Sequence, residues 1–114
     1  MINPTIRNTL YTEARNYTDR DAYISDLALS SIWGDAEDAE IPADRLALLG
    51  RIYDATHTTI RELIAAHHMT QTDFARFFCI PLRTVQGWCT GERNCPAYVV
   101  TMAAEILGAE ASKQ

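Results

Sequence analysis

Residues 70–93 read TQTDFARFFCIPLRTVQGWCTGER, two short apolar-striped segments with a break between them. Thr70, followed three residues later by Asp73, has the form of a capping box: the hydroxyl accepts one orphan amide and the carboxylate reaches back to another. Phe74, Ala75 and Phe78 follow at helical spacing until Cys79-Ile80-Pro81 interrupts the run. Leu82, Val85, Trp88 and Cys89 then resume the spacing, and Thr90-Gly91 ends it. Each segment spans about two or three turns, too short to persist as an isolated helix in water. The pair must pack crosswise on a larger helical body, which is the form of a helix-turn-helix.

Outward from this pair the chain stays helical in character. Proline is absent between Pro4 and Pro42, and the alternating polar–apolar runs of strands do not occur. The spacing predicts an all-α protein, a compact bundle of about seven helices. A first helix over 5–17 places Ile6, Leu10, Ala14 and Tyr17 on one stripe. Thr18 or Asp19 caps a second, which runs to Trp33 and buries Tyr23, Ile24, Leu27, Ala28 and Ile32. Gly34 suits a left-handed helix terminus, where a Cβ would clash.

Residues 35–40, DAEDAE, form the one obvious linker, and Pro42 fits the first turn of a third helix carrying Leu46, Leu49 and Tyr53. A fourth helix over 60–67 turns Ile60, Leu63 and Ile64 inward. After the two short helices, a seventh over 97–107 packs Tyr98, Met102, Ala103 and Ile106. Gly108 should stop it and leave 109–114 frayed. The expected division is therefore an acidic helical extension over 1–55, a helix-turn-helix domain over 56–107 and a loose tail over 108–114.

A chain of 114 residues with 47% hydrophobic residues is long enough for one compact core. Net charge is −5, and its distribution matters more than its sum. Residues 1–55 hold ten acidic side chains against five arginines, whereas residues 56–114 hold five of each sign. The basic footprint usual for a nucleic-acid binder is missing from this balance. Three cysteines, with no C-x-x-C pair and no secretory leader, point to a reduced, cytoplasmic protein. No apolar run approaches the roughly 20 residues of a membrane span.

Residues 56–107 resemble the helix-turn-helix domain of the phage Cro and repressor type, the XRE family. The likeness is carried by Thr70-Gln71 opening the first short helix and Phe74-Ala75 inside it. It continues through Thr84-Val85-Gln86-x-Trp88, Gly91, and Asn94-Cys95-Pro96 before the closing helix. Family members usually have Gly where Cys79 sits and often an acidic residue where Cys89 sits. Residues 1–50 resemble no family. The resemblance implies a lambda-repressor-like fold for the C-terminal part and a sequence-specific double-stranded DNA-binding function. It further implies a small bacterial or mobile-element transcriptional regulator acting as a homodimer on a palindromic operator.

In such proteins the second helix of the pair lies in the major groove with its N-terminal residues at base edges. By resemblance the base-reading positions fall on Leu82, Arg83, Thr84, Gln86 and Gly87. Arg83 has the forked donors that match guanine O6 and N7, and Gln86 pairs bidentately with adenine. Thr84 suits a phosphate or a thymine methyl, and Gly87 permits close approach. Leu82 reads as half core and half surface. The plain reading of Arg83 and Gln86 is a solvated helix face. Gln71, at a helix N-terminus with outward amides, is the expected phosphate contact. Arg76, Thr90 and Arg93 flank it as further phosphate contacts, solubility being the plain alternative for the two arginines. Trp88 reads as core rather than as a base-stacking platform.

Other chemistry finds little in the pattern. Cys89-x₅-Cys95 is too loose for structural zinc, so the cysteines read as small buried hydrophobes and no metal or other cofactor is expected. Residues 35–40 lack the calcium-loop pattern. No nucleophile elbow, phosphate-binding glycine loop or H-E-x-x-H occurs, and an enzyme is not expected. The competing reading is a protein-interaction module, antitoxin-like or adaptor, whose acidic N-terminal half binds a basic protein partner.

Overall fold

A computed structural model describes residues 3–36 and 39–112. They form seven α-helices and one 3₁₀ turn, with no strand among the described residues. The helices are α1 (Pro4–Asn16), α2 (Arg20–Ala28), α3 (Ala43–Thr56), α4 (Ile60–Ala66), α5 (Gln71–Phe78), α6 (Leu82–Thr90) and α7 (Ala97–Ser112); the 3₁₀ turn is Ser31–Trp33. The all-α expectation is met. The single core is not: the chain divides into two compact units, Met1–His57 and Thr58–Gln114, each with its own buried apolar cluster. Each set of amphipathic helices buries its stripe within its own unit.

In the first unit, α1 and α2 both pack on α3. Leu10, Ala14, Tyr23, Leu49 and Ile52 are almost wholly sealed from solvent. Asp19 caps α2 by accepting from the Asp21 amide at 3.1 Å, resolving the choice between Thr18 and Asp19. The second helix was expected to run to Trp33 but ends at Ala28. The Leu27 carbonyl accepts from the Trp33 indole N–H at 2.7 Å and from the Ser30 amide at 3.2 Å. The Ala28 carbonyl accepts from the Arg45 guanidinium at 3.1 Å. These donors satisfy the helix end, and Ser30 starts the 3₁₀ turn that Gly34 closes at φ +70°.

Arg45 ties this corner together. Its guanidinium lies over the Trp33 ring and pairs with both oxygens of Asp35, and the Arg45 hydrogen bonds hold the Asp35 carboxyl below its ordinary range. Pro42 stands just outside α3 rather than in its first turn, and Leu46 is exposed where it was expected to pack. Several acidic side chains of this unit have structural partners. Asp54 pairs with Arg20 at 3.0 Å, and Asp26 accepts from the Tyr17 hydroxyl at 2.8 Å.

In the second unit, Ile60, Leu63, Ile64, Phe74, Ala75, Val85, Ala103 and Leu107 form the core. Helix α4 ends with His68 at φ +53°, where the His68 amide donates to Ala65 at 3.2 Å and the Met69 amide to Ile64 at 3.0 Å. That double bond pattern is a Schellman motif. Helix α7 differs from expectation twice. Gly108 does not stop it: the helix continues to Ser112, because a glycine inside a helix costs only about 1 kcal/mol relative to alanine. Its packed face runs through Val100, Ala103, Ala104 and Leu107, with Thr101 also buried, whereas Tyr98, Met102 and Ile106 are exposed. No helix among the described residues is long and apolar enough to cross a membrane.

Candidate nucleic-acid interface

Helix α5 starts with both halves of the expected capping box. The Asp73 amide donates to the Thr70 hydroxyl at 3.0 Å, and the Thr70 amide donates to the Asp73 carboxylate at 3.3 Å. Those bonds leave the Gln71 and Thr72 amides as the first-turn donors for which helix geometry provides no internal acceptor. Gln71 itself is half-buried. The Asp73 carboxylate shares this positive helix end, so an anion placed there meets a charge already present.

The turn between α5 and α6 is set by Cys79, which adopts a left-handed conformation at φ +56° and ψ +41°. The Cys79 amide donates to Arg76 at 3.3 Å and the Ile80 amide to Ala75 at 2.9 Å, a second Schellman closure. Glycine is the residue expected at such a position, because a Cβ in this conformation costs roughly 1–2 kcal/mol. Cys79→Gly is therefore expected to raise the stability of the second unit by about 1 kcal/mol, after allowance for glycine's looser unfolded chain. Cys79→Ala, which keeps the Cβ, should change little. Urea unfolding followed by Trp88 fluorescence compares the two, and equal midpoints would refute the strain argument.

Helix α6 packs on α5 and on α4. Val85 is wholly buried, and Trp88 and Cys89 are half-buried against the same core. Trp88 is thus a packing residue, as its spacing implied. Arg83 and Gln86 are exposed and Thr84 is half-buried; Leu82, expected as half core and half surface, is exposed at 38%. Gly87 departs from the outward role expected of it. It is buried, because the aliphatic stem of Arg93 lies across it; a Cβ at 87 would stand 3.0 Å from both Cγ and Cδ of Arg93.

Among the expected flanking phosphate contacts, Arg76 and Arg93 are exposed. Arg76 lies beside an open, mostly apolar groove with Thr72, Ala75, Cys79, Ile80, Pro81 and Leu82. Thr90 is committed elsewhere: its hydroxyl donates to the Gly87 carbonyl at 3.3 Å and accepts from the Glu92 amide at 3.4 Å. A hydroxyl has one proton, so in this geometry Thr90 has none left for a phosphate oxygen.

The cysteines are all free thiols, and only two sit as expected. Cys89 and Cys95 are half-buried, and burial pushes the Cys95 thiol above its ordinary range; Cys79 is exposed. Among the described residues no three His, Cys, Asp or Glu side chains gather in a group able to hold a metal ion.

The Arg93 stem over Gly87 is the feature that sequence reasoning missed. A glycine inside a short helix signals close approach of another group. The spacing alone did not say which group. Comparison with known proteins finds no matching family model, no matching curated protein and no matching solved structure.

Proposed function

We propose that this protein is a sequence-specific DNA-binding protein, a small transcriptional regulator of bacterial or mobile-element type that works as a dimer on a palindromic operator. The observation that carries this reading is the division of α6. Val85 is sealed in the core while Arg83 and Gln86, on either side of it in sequence, stay exposed. A helix held by one face, and reached through a tight turn from a capped partner helix, is what a major-groove reader needs. Arg83 supplies a bidentate donor for guanine and Gln86 a donor–acceptor pair for adenine. The Gln71 and Thr72 amides at the start of α5 are the donors open to a phosphate, opposed in part by the Asp73 carboxylate of the capping box.

The charge balance favours one manner of binding. Residues 56–114 carry five basic and five acidic side chains, so one subunit has no broad cationic field. Affinity then depends on two half-sites about one helical turn apart and on helix-end amides.

Selection from a pool of random duplexes, followed by a salt titration, tests the proposal. The full chain is expected to enrich one two-fold symmetric motif, with log affinity falling linearly with log salt. Arg83→Ala is expected to relax preference at one base pair, by about 1–3 kcal/mol of discrimination. Gln71→Ala should weaken all sequences alike. An unchanged selected motif in Arg83→Ala removes that residue from the interface.

A second reading has one observation in its favour, the net −5 of residues 1–55. A protein-interaction module of antitoxin or adaptor type would use that surplus to hold a basic partner. Failure to enrich any duplex, together with saturable binding of a basic polypeptide, would favour it.

A further inference from the structure

We propose that Arg93, laid across Gly87, reads a base edge from the surface of α6 and so sets specificity beside Arg83 and Gln86. The inference rests on the DNA-binding reading above. Gly87 lies four residues after Arg83, hence on the same helix face, and directly follows Gln86. A side chain at 87 would project from that face. In its place runs another residue's stem: the site of the missing Cβ is 3.4 Å from Cβ and 3.0 Å from Cγ and Cδ of Arg93.

The arrangement is anchored at both ends. Gly91, at φ +82°, ends α6 and turns the chain, and the Arg93 amide then donates to the Gly87 carbonyl at 3.1 Å. The Arg93 backbone is thereby tied to the residue that its side chain covers. Gly87 is buried beneath the Cβ, Cγ and Cδ of Arg93, while Arg93 as a whole remains exposed, the division expected of a long cationic side chain that packs its stem and leaves its head to solvent. A planar fork held this way has lost part of its freedom before binding, which lowers the ordering cost when it meets a ligand. Guanine O6 and N7 are the acceptors whose spacing it matches. Glycine inside so short a helix costs about 1 kcal/mol relative to alanine. Accommodation of the Arg93 stem accounts for its presence.

The test uses the full chain, random-duplex selection, and affinities for the selected duplex and its single-base variants at one fixed salt concentration. Arg93→Ala is expected to lose roughly 5- to 140-fold of discrimination at one base pair, a different one from that lost in Arg83→Ala. Arg93→Lys keeps the charge but not the fork, and is expected to lose the same preference. Gly87→Ala displaces the stem and should match Arg93→Ala, with no further loss at that base pair in the double variant.

The inference is overturned if Arg93→Ala weakens every duplex equally and Arg93→Lys restores binding, the behaviour of a phosphate contact. It is also overturned if wild type selects sharply and Arg93→Ala selects the same motif. A wild-type chain that enriches no sequence overturns the DNA-binding reading itself. The two Arg93 variants alter an exposed side chain and leave Gly87 in place, so they decide the case even where Gly87→Ala misfolds.

Discussion

Phe74→Ala is expected to remove from about a third to all of the stability of the second unit. Phe74 is fully sealed, on the inner face of α5, with its ring 4.6 Å from that of Phe78. Truncating a buried phenylalanine costs about 3–5 kcal/mol, the lost transfer energy plus the cavity left behind. A unit of this size, Thr58–Gln114, holds about 3–9 kcal/mol at the usual 0.05–0.15 per residue. Helices α5 and α6 are too short to survive without the packing that Phe74 anchors. Trp88 packs on this core and Trp33 on that of the first unit, so the two indole signals report the two cores separately. Urea unfolding followed by NMR of the indole N–H groups should show the Trp88 transition at much lower denaturant than in wild type. A Trp88 midpoint within experimental error of wild type would show that the α5–α6 pair does not depend on this ring.

The same core explains what could be read directly from the residues. Thr70 and Asp73 made a capping box legible because both partners lie within one turn, and Val85 and Trp88 declared the inner face of α6 by spacing alone. Local patterns were readable wherever the deciding interaction was local. The failures came where a distant group intervened. Helix α2 stops at Ala28 because Trp33 and Arg45 take its last carbonyls, and Arg45 is 17 residues away from Ala28. Tyr98, Met102 and Ile106 have faultless helical spacing, yet the neighbouring stripe through Ala103 and Leu107 is the one that packs. Small residues let helices approach, and apolar spacing cannot say which of two stripes a neighbour will choose. Gly87 is the clearest case on the candidate interface. Its outward position followed from periodicity, but its cover came from Arg93, beyond the end of the helix.

In the first unit, Tyr23 offers a test in which the two parts of one side chain can be separated. The residue is 0% exposed, its ring lies 5.5 Å from that of Tyr17 and 5.8 Å from that of Tyr53, and its hydroxyl donates to the Leu10 carbonyl at 2.8 Å. Burial raises the phenol's pKa above its ordinary value, which favours the neutral, hydrogen-bond-donating form. Tyr23→Ala empties the centre of a three-helix packing and is expected to cost about 3–5 kcal/mol. Tyr23→Phe keeps the ring and loses only the hydroxyl. Leu10 lies inside α1, so its carbonyl still has its helical partner one turn on and is not orphaned. The expected cost of the phenylalanine variant is accordingly about 0.5–1.5 kcal/mol, that of one ordinary hydrogen bond. Urea midpoints read at Trp33, which packs on the same cluster, should place Tyr23→Phe close to wild type and Tyr23→Ala far below it. Equal losses in the two variants would mean that the bond to Leu10, rather than the ring, joins α2 to α1.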